Sequence, residues 1–242
     1  MREGLPPPLP PETRTVGQLV AESIRIYQER FWRILPLGLA LAVVEQVTAG
    51  HSTAMQALIL AVSAPLMAAS FTGAAAIVGD AHWSWIAFAV GTLVWLPVPL
   101  LMLIFVLPAL AWMALFGMAV PAAVVEGAGF RTALGRGRAL GRIDYGHALG
   151  GIATLAIVFG LTKFVLIFLL KGQADVTIRA ALFLADLVLS PLLFVGSALL
   201  YVDQRARLDW SDHAPVHPPL DALDAGRADA EGEPGSAAGS QP

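Results

Sequence analysis

The longest uncharged stretch of this sequence constrains the fold more than any other feature. Between Trp83 and Val125 the chain contains no Asp, Glu, Lys or Arg. A helix needs roughly 20 apolar residues to cross the hydrocarbon core of a bilayer, so this stretch is about twice the length of one crossing. The chain must therefore turn inside it, and Pro97, Pro99 and Pro108 are the candidate turn positions.

The composition extends this argument to the whole chain. Hydrophobic residues make up 57% and charged residues 14%, whereas soluble domains carry about 25% charged residues. We therefore predict an integral membrane protein whose fold is all-α: a polytopic transmembrane helical bundle with about six spans and two interfacial amphipathic helices. The helical membrane domain is predicted to cover residues 15–207, with spans near 32–50, 55–79, 84–106, 107–125, 147–170 and 179–202.

The two ends of the chain differ from this domain. Residues 1–14 are rich in proline and residues 208–242 are acidic and rich in Ala, Gly and Pro, and both compositions predict disorder. The first residues lack a short apolar core followed by small residues, so we expect no cleavable signal peptide. The chain has no cysteine, which excludes disulfides, thiolate metal sites and cysteine nucleophiles.

Two segments have the pattern of amphipathic helices at the membrane surface. The first begins at Thr15, which has capping-box spacing to Gln18, and it ends in the sequence RFWR at 30–33. The second lies in the basic loop, where an apolar stripe is formed by Phe130, Ala133, Leu134, Leu140 and Tyr145. Glycines 135, 137 and 141 weaken this second helix by roughly 1 kcal/mol each relative to alanine, and the sequence gives no reason for them.

The basic residues predict the topology. Twelve arginines fall before the first predicted span, in the fourth loop or after the last span, and the remaining three cations are Lys163, Lys171 and Arg179. Because cytoplasmic loops are enriched in Lys and Arg, six spans with both termini in the cytoplasm fit this distribution and five do not. We expect an inner-membrane protein whose partners are the lipid bilayer and its anionic headgroups, which would be contacted by Arg30, Arg33, Arg131, Arg136, Arg138 and Arg142.

Three charged residues lie within predicted spans beyond the first two residues of each span. Lys163 and Asp186 are each about 10 Å from the outer end of their helices by helical rise, and an antiparallel hairpin brings them level. Glu45 lies near the outer end of the first span. These three residues predict either an interhelical ion pair that neutralises itself or a polar site, open to the outside, that binds an ion, a proton or a headgroup.

Small residues also recur at four-residue spacing, which allows close helix approach. The pairs are Ala69 with Gly73, Ser70 with Ala74, and Gly146 with Gly150. They favour packing within the monomer, and a dimer interface is the alternative.

Motifs for catalysis or cofactor binding are not evident. The sequence contains no HExxH, GxSxG or Walker motif, and prolines 215, 218 and 219 argue against a helical metal site at His213 and His217. We therefore expect no catalytic residue, no cofactor and no metal site. The net charge of −3 gives no indication of nucleic-acid binding.

Several segments together resemble the bacterial family of multi-pass proteins similar to the membrane domain of glycerophosphoryl diester phosphodiesterase. The similar segments are VGQLVAESIRIYQERFWRILPL near the start, Pro108 and Pro121 with PAAVVEG ending at Gly127, the positions Ala133, Leu134, Arg136, Leu140, Leu149 and Gly150, and LLYVDQRAR at 199–207. The resemblance covers about residues 15–207. It implies a helical membrane domain that in some proteins is fused to a phosphodiesterase domain, and we expect no such catalytic domain here.

These observations lead to two hypotheses about function. The first is a non-catalytic module that assists or scaffolds a partner, with a membrane protein as a possible partner, in envelope or lipid metabolism. The alternative is a small transporter or lipid-handling protein that uses Glu45, Lys163 and Asp186 as its polar site. An intramembrane hydrolase is a third possibility with less support.

Overall fold

The computed structural model of the chain describes residues 14–213, and this part is entirely helical. It contains no strand, and the all-α prediction is confirmed. The α-helices, in chain order, are α1 (Val16–Glu29), α2 (Phe31–Ile34), α3 (Leu39–Thr48), α4 (Thr53–Val62), α5 (Ala64–Val78), α6 (Trp85–Trp95), α7 (Val98–Ile104), α8 (Val106–Phe116), α9 (Ala119–Val125), α10 (Phe130–Ile143), α11 (Tyr145–Leu169) and α12 (Asp175–His213).

Five continuous helical segments are long and apolar enough to cross a membrane. They are Phe31–Thr48, Trp85–Ile104, Val106–Val125, Tyr145–Leu169 and Asp175–Asp209. A sixth crossing results if Thr53–Val62 and Ala64–Val78, which meet at a bend of 52°, form one span. Pro65 lies in the first turn of α5, where its missing N–H is not needed for helical hydrogen bonding. The described chain is therefore built as a polytopic membrane protein.

The turn inside the long uncharged stretch lies at Phe105. This residue has extended backbone between α7 and α8, with φ −173° and ψ 157°. The three candidate prolines lie elsewhere, because Pro97 and Pro99 begin α7 and Pro108 lies in the first turn of α8. Proline fits those positions since the first turn of a helix leaves its N–H groups without partners.

The first span is interrupted where it crosses α12. Residues Leu35–Gly38 form a 3-10 turn that includes Pro36. Gly38 packs so closely on α12 that a Cβ atom there would overlap the Leu187 backbone, and the Ser190 hydroxyl donates to the Gly38 carbonyl at 3.5 Å. This crossing brings α3 and the first half of α12 side by side.

The best-buried part of the bundle is formed by α5, α6, α8 and α9. In the most apolar 18-residue window of Val106–Val125, 61% of the residues are buried, compared with 6% in the corresponding window of α11. On α5, Ser70 and Ala74 are buried and Gly73 faces Leu37. The small-residue pairs of α5 therefore pack within the chain.

Helix α1 begins as the sequence predicts. The Gln18 side chain accepts a hydrogen bond from the Thr15 N–H at 2.7 Å, and the Thr15 hydroxyl accepts one from the Gln18 N–H at 3.4 Å. These two bonds form the predicted capping box. The helix buries Leu19, Ser23 and Tyr27 and packs on α11.

Helix α10 docks on the bundle through its glycines. Ala133, Gly137, Leu140 and Gly141 form its buried face. A Cβ atom at Gly137 would lie 2.5 Å from the Ala119 nitrogen, and one at Gly141 would lie 2.5 Å from the Ala114 carbonyl oxygen. The predicted second amphipathic helix is present, but it packs backbone to backbone against α8 and α9 and does not lie alone in the interface.

This packing gives a direct test of the glycines. Gly137→Ala is expected to destabilise the protein by about 1 to 3 kcal/mol, because the added methyl group overpacks the contact with α9. Gly135→Ala is the matched control, since a Cβ atom there has no neighbour within 4 Å, and it is expected to stabilise α10 by roughly 1 kcal/mol. Unfolding in mild detergent measures both changes, and equal effects would contradict the docking of α10 through Gly137.

The structure adds detail at both predicted domain boundaries. Arg14, assigned from the sequence to the disordered N-terminal segment, is buried. A compact unit ends at Leu208, close to the predicted boundary at 207, whereas helix α12 continues through His213. The polar residues Asp203, Gln204 and Arg207 of α12 bond to Arg14 and Asp144, which lie just before α1 and α11. The rest of both predicted disordered segments, and His217, lie outside the described residues.

Candidate functional site

Glu45, Lys163 and Asp186, the three charged residues predicted within spans, meet in the structure. They come from α3, α11 and α12 and are called the carboxylate–lysine triad below. The Lys163 ammonium lies 2.9 Å from Asp186 Oδ1 and forms a second ion pair with Glu45. It also lies 5.3 Å from the centre of the Phe159 ring.

The three residues meet although they lie at different distances from their helix ends. Glu45 is three residues before the end of α3, Lys163 six residues before the end of α11, and Asp186 eleven residues after the start of α12. At a rise of 1.5 Å per residue these positions are about 5, 9 and 17 Å from the helix ends. Lys163 and Asp186 meet as predicted, with an ion pair of 2.9 Å, although α12 begins at Asp175 and not near residue 179. The long lysine side chain reaches both carboxylates.

Burial increases along the triad. The side chains of Glu45, Lys163 and Asp186 are 33%, 14% and 0% exposed. With all three groups ionised the triad has a net charge of −1, and no hydrogen-bond donor within the described chain reaches Asp186 Oδ2. Because an uncompensated buried charge costs several kcal/mol, the excess negative charge is the dominant chemical property of this site.

An apolar cavity of about 50 Å³ adjoins the triad. It lies between α1, α11 and α12, and its lining includes Val20, Phe159, Thr162 and Leu189. The Thr162 hydroxyl donates to the Val158 carbonyl at 2.7 Å. A water molecule needs two to four polar partners to occupy such a space, so this lining favours hydrocarbon over a polar ligand.

A second charged network ties the opposite end of α12 to the start of the described chain. Arg14 and Asp203 form an ion pair at 2.5 Å, with side chains 7% and 0% exposed. Arg207 donates to the Arg14 carbonyl at 2.9 Å and pairs with Asp144 at 3.2 Å. The Gln204 amide donates to the Asp144 carbonyl at 3.2 Å. Sequence reasoning missed this network, since it placed Arg14 and the residues after 202 outside the packed helices.

Glu126 joins the same end of the bundle. Its carboxylate accepts a hydrogen bond from the Tyr201 hydroxyl at 2.7 Å and pairs with Arg136 at 3.3 Å. Glu126 therefore pairs with an arginine of α10. We call this end of the bundle, which carries Arg14, Arg136 and Arg207, the arginine-rich end.

Two of the six arginines predicted to contact lipid headgroups bind within the chain. Arg30 donates to the Ile77 carbonyl, and Arg136 pairs with Glu126. The other four are exposed and make no ion pair with a described residue: Arg33, Arg131, Arg138 and Arg142. Contact with anionic headgroups stays a prediction for these four.

The described residues contain no group of three or more His, Cys, Asp or Glu side chains that could hold a metal ion. The long apolar helices, with two charged clusters between them, define the class of this chain as a polytopic helical membrane protein. Comparison of the chain with protein-family models, with curated proteins and with solved structures finds no match.

Proposed function

We propose that this chain is a non-catalytic module of the bacterial inner membrane that holds or assists a membrane protein partner in envelope or lipid metabolism. The resemblance to a membrane domain that occurs fused to an enzyme motivates this proposal. The observation that carries it is the surface of α11, because this helix contributes far less to the bundle than the other spans do.

The exposed face of α11 is apolar along its length. Only 6% of the residues in its most apolar 18-residue window are buried, compared with 33% to 61% in the corresponding windows of the other four continuous spans. Ile157, Leu161, Phe164 and Phe168 are 59% to 68% exposed and follow one helix face. Gly160 lies beside this stripe with open space around it, and a small residue on an exposed helix face lets a second helix approach closely.

The proposed orientation places the arginine-rich end in the cytoplasm. Arg30 contacts Ile77, Glu126 contacts Tyr201, and Arg14 contacts Asp203, so the corresponding helix ends lie together at this end. The triad then lies toward the outer face. The enrichment of Arg and Lys in cytoplasmic loops supports this orientation.

Photo-crosslinking in native membranes tests the partner. A photoreactive amino acid at Phe164 or Phe168 is expected to give one discrete protein adduct, because these side chains would face the partner helix. Leu93 on α6 and Leu96 directly after it are matched controls, since they are also exposed and apolar, and they should give lipid adducts alone. Gel mobility and mass spectrometry identify the adducts.

Lipid adducts alone at all four positions would contradict the module. Purification from native membranes in mild detergent without any stoichiometric protein partner would contradict it as well. A protein adduct at Phe164 that is absent at Leu93 would name the partner and the pathway.

The triad supports a second candidate function, a small transporter or lipid-handling protein. A charged cluster inside a membrane domain is a site for ions, protons or headgroups by default, and this cluster has an uncompensated charge. If it is a transport site, replacing Lys163 and Asp186 together with apolar residues of similar size will abolish transport in liposomes and leave the fold intact.

A further inference from the structure

We infer that the carboxylate–lysine triad binds one exchangeable proton and that the proton resides on the Asp186 carboxyl group. The proton is a ligand for the second proposed function, the transporter or lipid-handling protein. The inference rests on that proposed function only for the process that proton binding would drive. The binding itself follows from the charge, burial and contacts of the three side chains.

The first step is the charge balance. The charged groups that act on Asp186 are the Lys163 ammonium on α11 and the Glu45 carboxylate on α3. On its own helix, the next charged side chain toward the nearer end is Arg179, about two turns away. One ammonium between two carboxylates leaves one negative charge, and two carboxylates that share a site cannot both stay ionised without cost. One further positive charge makes the site neutral.

The second step assigns this charge to Asp186. Glu45 is 33% exposed and close to the end of α3, whereas Asp186 is fully buried. Asp186 Oδ2 has no donor within the described chain. A charged oxygen without a donor is costly in this position, and protonation removes its charge without any movement of a helix.

The third step favours a proton over a metal cation. Hard metal cations need about six oxygen ligands, and the triad offers two carboxylates with an ammonium between them. Neither the cavity beside Phe159 nor the cleft beside Arg179 has Asp186 in its lining. A proton needs no additional space.

The contacts also define the route of the proton. Glu45 takes a proton from water, Lys163 passes one of its own protons to Asp186, and Lys163 regains a proton from Glu45. The ammonium and the Glu45 carboxylate are thereby restored, and Asp186 is the only group changed. Toward the arginine-rich end, the Ser190 hydroxyl is bonded to Gly38 and α12 then buries Phe194, Val195 and Ala198. The proton therefore enters and leaves at the Glu45 side, and the site responds to pH on one face of the membrane.

Infrared difference spectroscopy tests the inference on the full chain in lipid nanodiscs. When the pH is lowered from mildly alkaline to mildly acidic, the wild-type protein is expected to gain the carbonyl band of a protonated carboxylic acid, well separated from carboxylate bands. Asp186→Asn should remove it. Glu45→Gln should remove it as well, because Lys163 and Asp186 then form a neutral pair. Asp175→Asn, an exposed acid at the start of the same helix, is the matched control and should keep the band.

Stability provides a second measurement on the same samples. If the folded protein holds one proton more than the unfolded chain, the free energy of unfolding falls as pH rises. Glu45→Gln should flatten this dependence, and it carries the test alone if Asp186→Asn does not fold. A wild-type protein that gains no such band on acidification, or a band and a pH dependence that Glu45→Gln leaves unchanged, would overturn the proton site.

Transport measured in liposomes separates this inference from the second proposed function. A wild-type protein that shows the carbonyl band of the protonated acid and no solute transport supports the proton site and contradicts the transporter. Transport without the band overturns the proton site and leaves the transporter standing.

Discussion

Replacing Lys163 with methionine is expected to destabilise the protein by about 3 to 5 kcal/mol, because it leaves Glu45 and Asp186 facing each other without a cation. The loss should shrink as pH falls, since protonation removes the charge from both carboxyl groups. Unfolding curves in detergent at several pH values measure both effects. A loss that is independent of pH would contradict an electrostatic cause.

The double variant Lys163→Met with Asp186→Leu is the decisive comparison. A buried ion pair replaced by apolar residues of similar volume is often neutral in stability, and the remaining Glu45 side chain is partly exposed. The double variant should therefore recover most of the loss. Lys171→Met controls for the loss of any lysine near this end of α11, because Lys171 is exposed, and it should leave the unfolding midpoint unchanged. A double variant as damaged as the single one would mean that Lys163 acts through packing.

Arg14→Met is expected to have the second-largest effect, a loss of about 3 kcal/mol. The substitution removes the ion-pair partner of the fully buried Asp203, and a buried charge left without its partner is strongly destabilising. We also expect faster amide hydrogen exchange in the first turns of α1, because Arg14 anchors this end of the helix to α12.

Arg33→Met is the matched control for this prediction. Arg33 is exposed and makes no ion pair with any residue between 14 and 213, so neither stability nor exchange should change. Exchange in α1 that is equal in Arg14→Met and in the wild type would contradict the anchoring role.

The triad was predictable because its geometry follows from helical rise and from the antiparallel order of consecutive spans. Lys163 and Asp186 stand out in otherwise apolar sequence, and their partners had to be the other charges at a similar depth. The capping box of Thr15 and Gln18 was predictable for a similar reason, since it depends on residues that are close in sequence.

The network at the arginine-rich end was not predictable in the same way. Hydropathy places the end of the last span near residue 202, so Asp203 and Arg207 appear to be ordinary charges of a cytoplasmic segment. Their partners, Arg14 and Asp144, are distant in sequence and follow no periodic pattern. Only the packing of α1 and α11 against the end of α12 brings them together.

The glycines of α10 show a second reason why sequence patterns fail to predict packing. A helical pattern is recognised from its large apolar side chains, which suggested a stripe that included Phe130 and Tyr145. The buried face instead depends on Gly137 and Gly141, where the absence of a side chain permits contact with the backbone of α8 and α9. On a scale of helix propensity, the same glycines only lower the predicted stability of the helix.

The ion pair between Arg14 and Asp203 has a consequence for the order of assembly during synthesis. The two residues are 189 positions apart. Arg14 therefore cannot pair with Asp203 until nearly every span has been synthesised. Regions near the N-terminus usually begin to fold first during translation, but here the first helix cannot complete its contacts early. A chain truncated before α12 would therefore lack the Asp203 partner of Arg14, and quality-control proteases would recognise the unfinished protein by its unanchored N-terminal segment.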